Sequence, residues 1–431
     1  MSMSQRFSRR ELLMRGGALG ASALVAPLLA RQGSGLLKGA VRPQATTTTV
    51  TYCTDSSLGP LIQPFVTTFN KQFAPLSAQL SLIPTNYETV LETKFAAGAP
   101  GIDMVLADPG YANYWYESGW TQALDGLPGL AQINADMSIP SLKPDLISSD
   151  GKQMAIPYYN GTVLFAYNKA LLSKYDVAPP TTWAEFTAAC TKMKKAGLDY
   201  PFAAFWDADF GIVFYNFLAH CASEGMTTGF NASTLEPTFD TNPVAISVLE
   251  QWREWFSKGF VAPDILASTY TSVSNLFSAG KAAFSLADNQ FVKPWQVTKG
   301  TPAYGNTKIA LMPGTTHGTM TFMAVYAMTK STPHREATWE FMKFMAWRDS
   351  KQQSQYVVPY GYLVEDFGLT APYKGLLAEP NVRAAFSFFD YDVFVKQSSL
   401  AQAMLFPVDR ASWYTGFQTY IGTQLQAAVV G

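Results

Sequence analysis

The chain has 431 residues, 48% hydrophobic and 15% charged, with a formal net charge of −1. That length is enough for two sizeable cores, and the near-neutral charge removes the electrostatic case for nucleic acid or an anionic membrane surface as a partner. Aromatic residues make up 14%, with 10 Trp and 21 Tyr; beyond what a core absorbs, such a surplus with few charges suits a site for neutral, ring-shaped ligands.

The N-terminus reads as an address. Ser8-Arg9-Arg10-Glu11-Leu12-Leu13 is similar to a twin-arginine export motif, and the small, apolar stretch Gly16–Ala30 follows it. That stretch is too Gly/Ala-rich to read as a membrane span. Residues 1–45 are expected to be signal and linker, and the protein to be exported, periplasmic or extracellular. No Cys near the end of the apolar stretch offers a lipid attachment point.

Beyond it, Thr46–Tyr52 alternates as a strand, Pro60 suits a helix start, and Leu61, Ile62, Phe65, Val66, Phe69 and Phe73 recur at helical spacing. Gln79–Ile83 is a second strand. Asn86 is placed to cap a helix that buries Val90, Leu91 and Phe95, and Ile102–Ala107 is a third strand running into Asp108-Pro109-Gly110. A strand is predicted to end at Pro157 and another to run over Thr162–Tyr167. Thr182-x-x-Glu185 then reads as a capping box, Tyr200–Phe205 as strand-like, and Asn242-Pro243 as a helix start. Ala282–Ala287 and Lys308–Pro313 are further strands, and Thr332-Pro333 opens a last clear helix. Strands alternating with amphipathic helices indicate an α/β class with much parallel sheet.

Cys53, Cys190 and Cys221 leave at least one thiol free or intermolecularly paired, and Cys190 shares a helical face with Phe186 and Met193 as small core filler. Only three dispersed His occur and no C-x-x-C, so neither a zinc site nor a cofactor is expected.

The run from Lys152 to Gly197 carries the most information. Two strand-like segments, Tyr167-Asn168-Lys169, a short helix, Pro179-Pro180 and the Thr182 helix start follow in order. That order resembles the extracellular solute-binding proteins of ABC importers, in particular the carbohydrate-binding group that includes maltose-binding protein. The helix–Gly-Lys–strand run Phe277–Phe284, Ala337-x-Trp339-Glu340-Phe341 and Pro359-Tyr360-Gly361 resemble the same family. The resemblance implies a two-lobed, periplasmic-binding-protein-like α/β fold. Lobe 1 would be 46–157 with 309–345 and lobe 2 would be 160–305 with 346–431, joined by three hinge crossings near Pro157, Lys308 and Arg348. It further implies a monomer that closes on a carbohydrate ligand and presents it to ABC permease subunits.

In open α/β sheets, ligands sit beyond the carboxyl ends of the strands. That rule selects Asp55, Asp108, the crossing residues Tyr158 and Asn160, the pair Trp206-Asp207, the pair Asp288-Asn289, His317 and Tyr360, to which Trp295 is added. Asp and Asn hydrogen-bond adjacent sugar hydroxyls, and Trp and Tyr stack on the apolar face of a pyranose. Ordinary structural roles compete. Asp55 and Asp209 can cap helices, Asp108 can form a turn, and Trp115 and Trp295 can be core. Trp206-Asp207 is the most pointed, since an aromatic–carboxylate pair at a strand end has no evident core role. The same carboxylates with aromatic walls leave open a polyamine-binding protein of this fold, and Tyr clusters a metal-binding one. A secreted glycoside hydrolase is the weaker alternative: the carboxylates are scattered, and G-x-S-x-G and the P-loop pattern are absent.

Overall fold

The computed structural model describes residues 47–98, 101–207, 212–231, 233–348, 356, 358–388, 390–411 and 413–431. The expected signal segment with Arg9 and Arg10, and Asp209, lie outside them.

The described residues form nine strands. These are β1 (Thr48–Asp55), β2 (Leu76–Ile83), β3 (Met104–Ala107), β4 (Ala155–Asn168), β5 (Phe202–Ala204), β6 (Phe284–Asp288), β7 (Thr307–Ala310), β8 (Thr319–Met328) and β9 (Ala401–Gln402), of which two, β4 and β8, are long. The order is β2-β1-β3-β8-β4-β6-β5, with β7 on β4 and β9 on β8. β1 lies parallel between β2 and β3, β3 is antiparallel to β8, and β8 is antiparallel to the first half of β4. The second half of β4 pairs antiparallel with β6 and β7, and β5 is parallel to β6. Thus β4 belongs to one sheet at Ala155–Thr162 and to the other at Val163–Asn168.

The two strands expected around Pro157 are one. Pro157 pairs with Val325 and Tyr159 with Ala324, so Tyr158 is the extra residue of a bulge that lets the strand continue. β7 keeps the chain in the second sheet as far as Ala310, two residues beyond the crossing expected at Lys308.

Each sheet is covered by helices whose apolar stripe the sequence displays. Helix Gly59–Gln72 buries Ile62, Val66 and Phe69, and Phe69 packs edge-on against Phe341 of helix Arg335–Ala346 with ring centroids 4.9 Å apart. Trp115, buried edge-on against Phe95, is core of this first lobe and donates to Glu92. In the second lobe, helices Trp183–Lys195, Ile212–Ser223 and Pro243–Ser257 bring Trp183, Trp252 and Trp255 around the ring of His220. His220 Nδ1 accepts from Trp252 Nε1 at 3.0 Å, and burial holds the imidazole pKa well below its ordinary value.

Side-chain caps set the helix starts. Thr182 accepts from the Glu185 N–H, while the Glu185 carboxylate reaches back to Thr181, and Asn242 accepts from Val244 and Ala245. Asn86, expected as a cap, sits in the left-handed region and makes no side-chain cap bond. The three cysteines are buried and unpaired. Among the described residues no helix is long and apolar enough to cross a membrane.

Candidate functional site

At the carboxyl ends of β5 and β6, half-buried polar and aromatic side chains converge on Tyr270. Tyr270 opens helix Tyr270–Ser278, which Thr269 and Ser272 start with a reciprocal cap. Its ring stacks on Phe291 at 4.9 Å and meets Phe205 at 5.3 Å. Burial pushes the Tyr270 phenol well up, reinforced in turn by Asp288, Tyr215, Tyr159 and Asp207, so all four lie within electrostatic reach of it.

Asp288 ends β6 and caps helix Asn289–Val297, accepting from the Gln290 N–H at 3.3 Å. Burial raises its pKa from 3.8 to about 7, against the smaller opposing pull of the Gln290 and Asn289 N–H groups. Near neutrality this carboxyl therefore offers a donor as often as a second acceptor. Gly161 lets it approach the strand, since a β-carbon there would sit 2.8 Å from Asp288 Oδ2 and 2.3 Å from the Phe322 ring. Tyr215, on helix Ile212–Ser223, packs on Phe322 at 5.5 Å and accepts from Gln418 Nε2 at 3.0 Å.

The bulge joins this cluster to the first lobe. Tyr159 meets Phe322 at 6.5 Å and Tyr158 at 5.1 Å, and Tyr158 stacks at 4.5 Å on Tyr326 of β8. In the first sheet, Asp55 ends β1 and Asp108 follows β3. The π-helix Pro359–Phe367, which holds the half-buried Tyr360, touches both sides. Gly361 lies against Phe65, and Lys293 of helix Asn289–Val297 donates to the carbonyls of Val364 and Glu365.

The residues selected from sequence divide accordingly. Asp207 and Asp288 enter the Tyr270 cluster, and Tyr158 borders it as a buried ring. Asp55 is buried and accepts from the Ser57 N–H at 2.7 Å, and Asp108 stands half-buried before helix Pro109–Glu117 with no cap bond from its side chain. Trp206 requires a correction. The expected stacking platform is fully buried, its ring laid on Trp252 at 4.7 Å, because the chain turns that side chain inward and Asp207 outward. Trp295 is core as well, tilted against Phe277 with ring centroids 4.3 Å apart and donating to Ser274.

Asn160 and Asn289 are buried amides that tie β4 to the segment Gly368–Thr370. The Asn160 N–H donates to the Thr370 carbonyl, and Asn289 Oδ1 accepts from the Thr162 N–H. His317 occupies a left-handed turn with Nδ1 2.8 Å from the Met312 carbonyl, as a loop brace. Sequence reasoning passed over Tyr215, Tyr270, Phe291 and Phe322. Tyr270 carried the one usable signal, a ring directly after a Ser-Thr cap.

Ring faces, phenols and two carboxyls are groups able to supply stacking and hydrogen bonds. Among the described residues no group of three His, Cys, Asp or Glu is placed to hold a metal. The model of the family described as bacterial extracellular solute-binding protein matches residues 57–352, more than half of the chain. The chain belongs to this family. Solute-binding proteins of this family are binding components, not enzymes, and act outside the cytoplasm.

Solved structures with the same two-lobed fold include the sugar-binding protein MalE from the phytopathogen Xanthomonas citri. It superposes with a TM-score of 0.74 at 18% identity, over 89% of this chain and 92% of that one. Maltose-bound MalE3 of T. maritima gives 0.69 at 17% identity, over 89% and 94%. A solute-binding protein from Agrobacterium radiobacter K84 in complex with ribitol gives 0.68 at 18% identity, over 90% and 94%. The solute-binding protein described above shares their architecture.

Proposed function

We propose that this solute-binding protein captures a carbohydrate or polyol between its two lobes and delivers it to the permease of an ABC importer. The observation that carries the reading is the cluster in which Tyr270 stacks on Phe291, Tyr159 and Tyr215 pack on Phe322, and Asp207 and Asp288 lie within electrostatic reach of the Tyr270 phenol. Ring faces suit the apolar face of a sugar. A carboxyl that ionises near neutrality pairs with a hydroxyl as donor or acceptor. Structural neighbours solved with maltose and with ribitol support the same class. Asp55, Asp108 and Tyr360 are proposed as contacts that reach the ligand from the first-lobe side when the lobes close. The protein is exported through the Arg9-Arg10 signal and acts as a monomer in this reading.

A second reading rests on Asp207 and Asp288 both lying within electrostatic reach of the Tyr270 phenol. Two carboxyls among aromatic rings also suit a cationic ligand such as a polyamine. A thermal-shift panel of maltose, ribitol, D-mannitol, D-tagatose and spermidine separates the two, since a ligand that binds only the folded state raises the melting temperature. A shift with a sugar or polyol and none with spermidine is expected. A shift with spermidine alone overturns the carbohydrate reading.

A further inference from the structure

We infer that Gln426, on the C-terminal helix and away from the ligand, is a positioning residue for the site: its side-chain amide bridges the two chain segments that carry Asp207 and Tyr270. The inference rests on the proposed placement of ligand at that cluster. Helix Tyr414–Val430 packs along helices Pro243–Ser257 and Ile212–Ser223. From it Gln426 Nε2 donates to two carbonyls, Trp206 O and Leu266 O, each at 2.8 Å. Trp206 directly precedes Asp207. Leu266 lies in the single turn Ile265–Ala267, which runs through Ser268 into the Thr269 cap and Tyr270.

These two segments are distant in sequence. The amide fits this place because glutamine carries two N–H groups in a fixed fork and meets both acceptors at once. Trp206 is fully buried and anchored on Trp252, so its carbonyl is a firm post. The amide fixes the Tyr270 turn relative to that post, and with it the spacing between the Asp207 carboxyl and the Tyr270 ring. The same helix steadies a third arm through Gln418 Nε2 on the Tyr215 hydroxyl, 3.0 Å away. One helix thereby ties together three of the segments that carry the cluster.

The test is Gln426→Met, which keeps the side chain's shape and removes both donors. Hydrogen–deuterium exchange of the ligand-free protein should quicken together in peptides covering 204–207 and 265–270, while the β1 and β3 peptides stay unchanged. Affinity for whichever of maltose, ribitol, D-mannitol or D-tagatose the wild type binds most tightly should fall about tenfold, the scale of losing hydrogen bonds to buried acceptors. In an Asp207→Asn background the same change should cost far less, because the group it positions is already altered. A merely structural glutamine would lower the melting temperature and give equal fold losses in both backgrounds, which overturns the inference. Unchanged exchange in either segment overturns it too. If none of the four compounds binds, the carbohydrate reading fails while the exchange result still decides the role of Gln426.

Discussion

Asp288 and His220 are ionisable groups whose burial works in opposite pH directions. Asp288 is raised above its ordinary value, so between 3.8 and about 7 the folded chain holds a proton that the unfolded chain releases. Stability therefore falls as pH rises through that window and stays lower above it. Asp288→Asn, permanently neutral, should raise the melting temperature relative to wild type at about pH 8 and change it little below about pH 4. A melting curve series across pH checks this; an equal shift at both ends would mean the effect is packing.

His220 is depressed, so its contribution is present above 6.5 and is lost as pH falls below it. Trp206 makes a different residue-scale case. Because its ring is core on Trp252, Trp206→Ala should cost about 3–5 kcal/mol of stability in urea unfolding, as for other buried aromatic truncations. Its neighbour Asp207 was readable as a candidate for the site from its position after a strand. The inward turn of the tryptophan was not, since a strand end does not say which of two adjacent side chains faces the core.

At the scale of elements, caps and apolar periodicity were the legible part. Asn242 before Pro243 and Thr182 before Trp183 open helices where the sequence placed them. Asn242→Ala removes a cap that serves two N–H groups and should lower stability by about 1 kcal/mol, measured by chemical denaturation. β4 shows why other parts were hidden. Proline lacks the ladder N–H and usually ends or edges a strand, so Pro157 reads as a terminus. In the fold, the extra residue Tyr158 absorbs the mismatch and the strand runs on. The Tyr270 cluster was hidden for a related reason, since its members come from β4, β6, β8, the segment after β5 and the first turns of three helices. The N-terminal segment belongs to this scale as well. If Arg9 and Arg10 are the paired charges of a twin-arginine signal, replacing both with Lys should leave precursor in the cytoplasm on fractionation, and normal export would refute the assignment.

For the molecule as a whole, the two sheets meet in β4, and the π-helix Pro359–Phe367 touches elements on both sides. The family resemblance read from the run after Lys152 implied two lobes. How the chain distributes between them follows from long-range pairing, which local sequence does not display. Lobes joined by a few strands turn against each other as bodies when a ligand bridges them. A saturating sugar or polyol that binds should therefore lower the radius of gyration in small-angle X-ray scattering, and an unchanged scattering curve would speak against closure.

The three buried cysteines have a practical consequence for watching that motion. Cys53, Cys190 and Cys221 are packed inside, and burial raises the pKa of each thiol, so the reactive thiolate is both scarce and shielded. A maleimide dye added to the folded protein would find no native partner. One cysteine introduced at the cleft rim would then take the label alone, and the wild-type chain becomes a ready background for a fluorescent reporter of its own ligand.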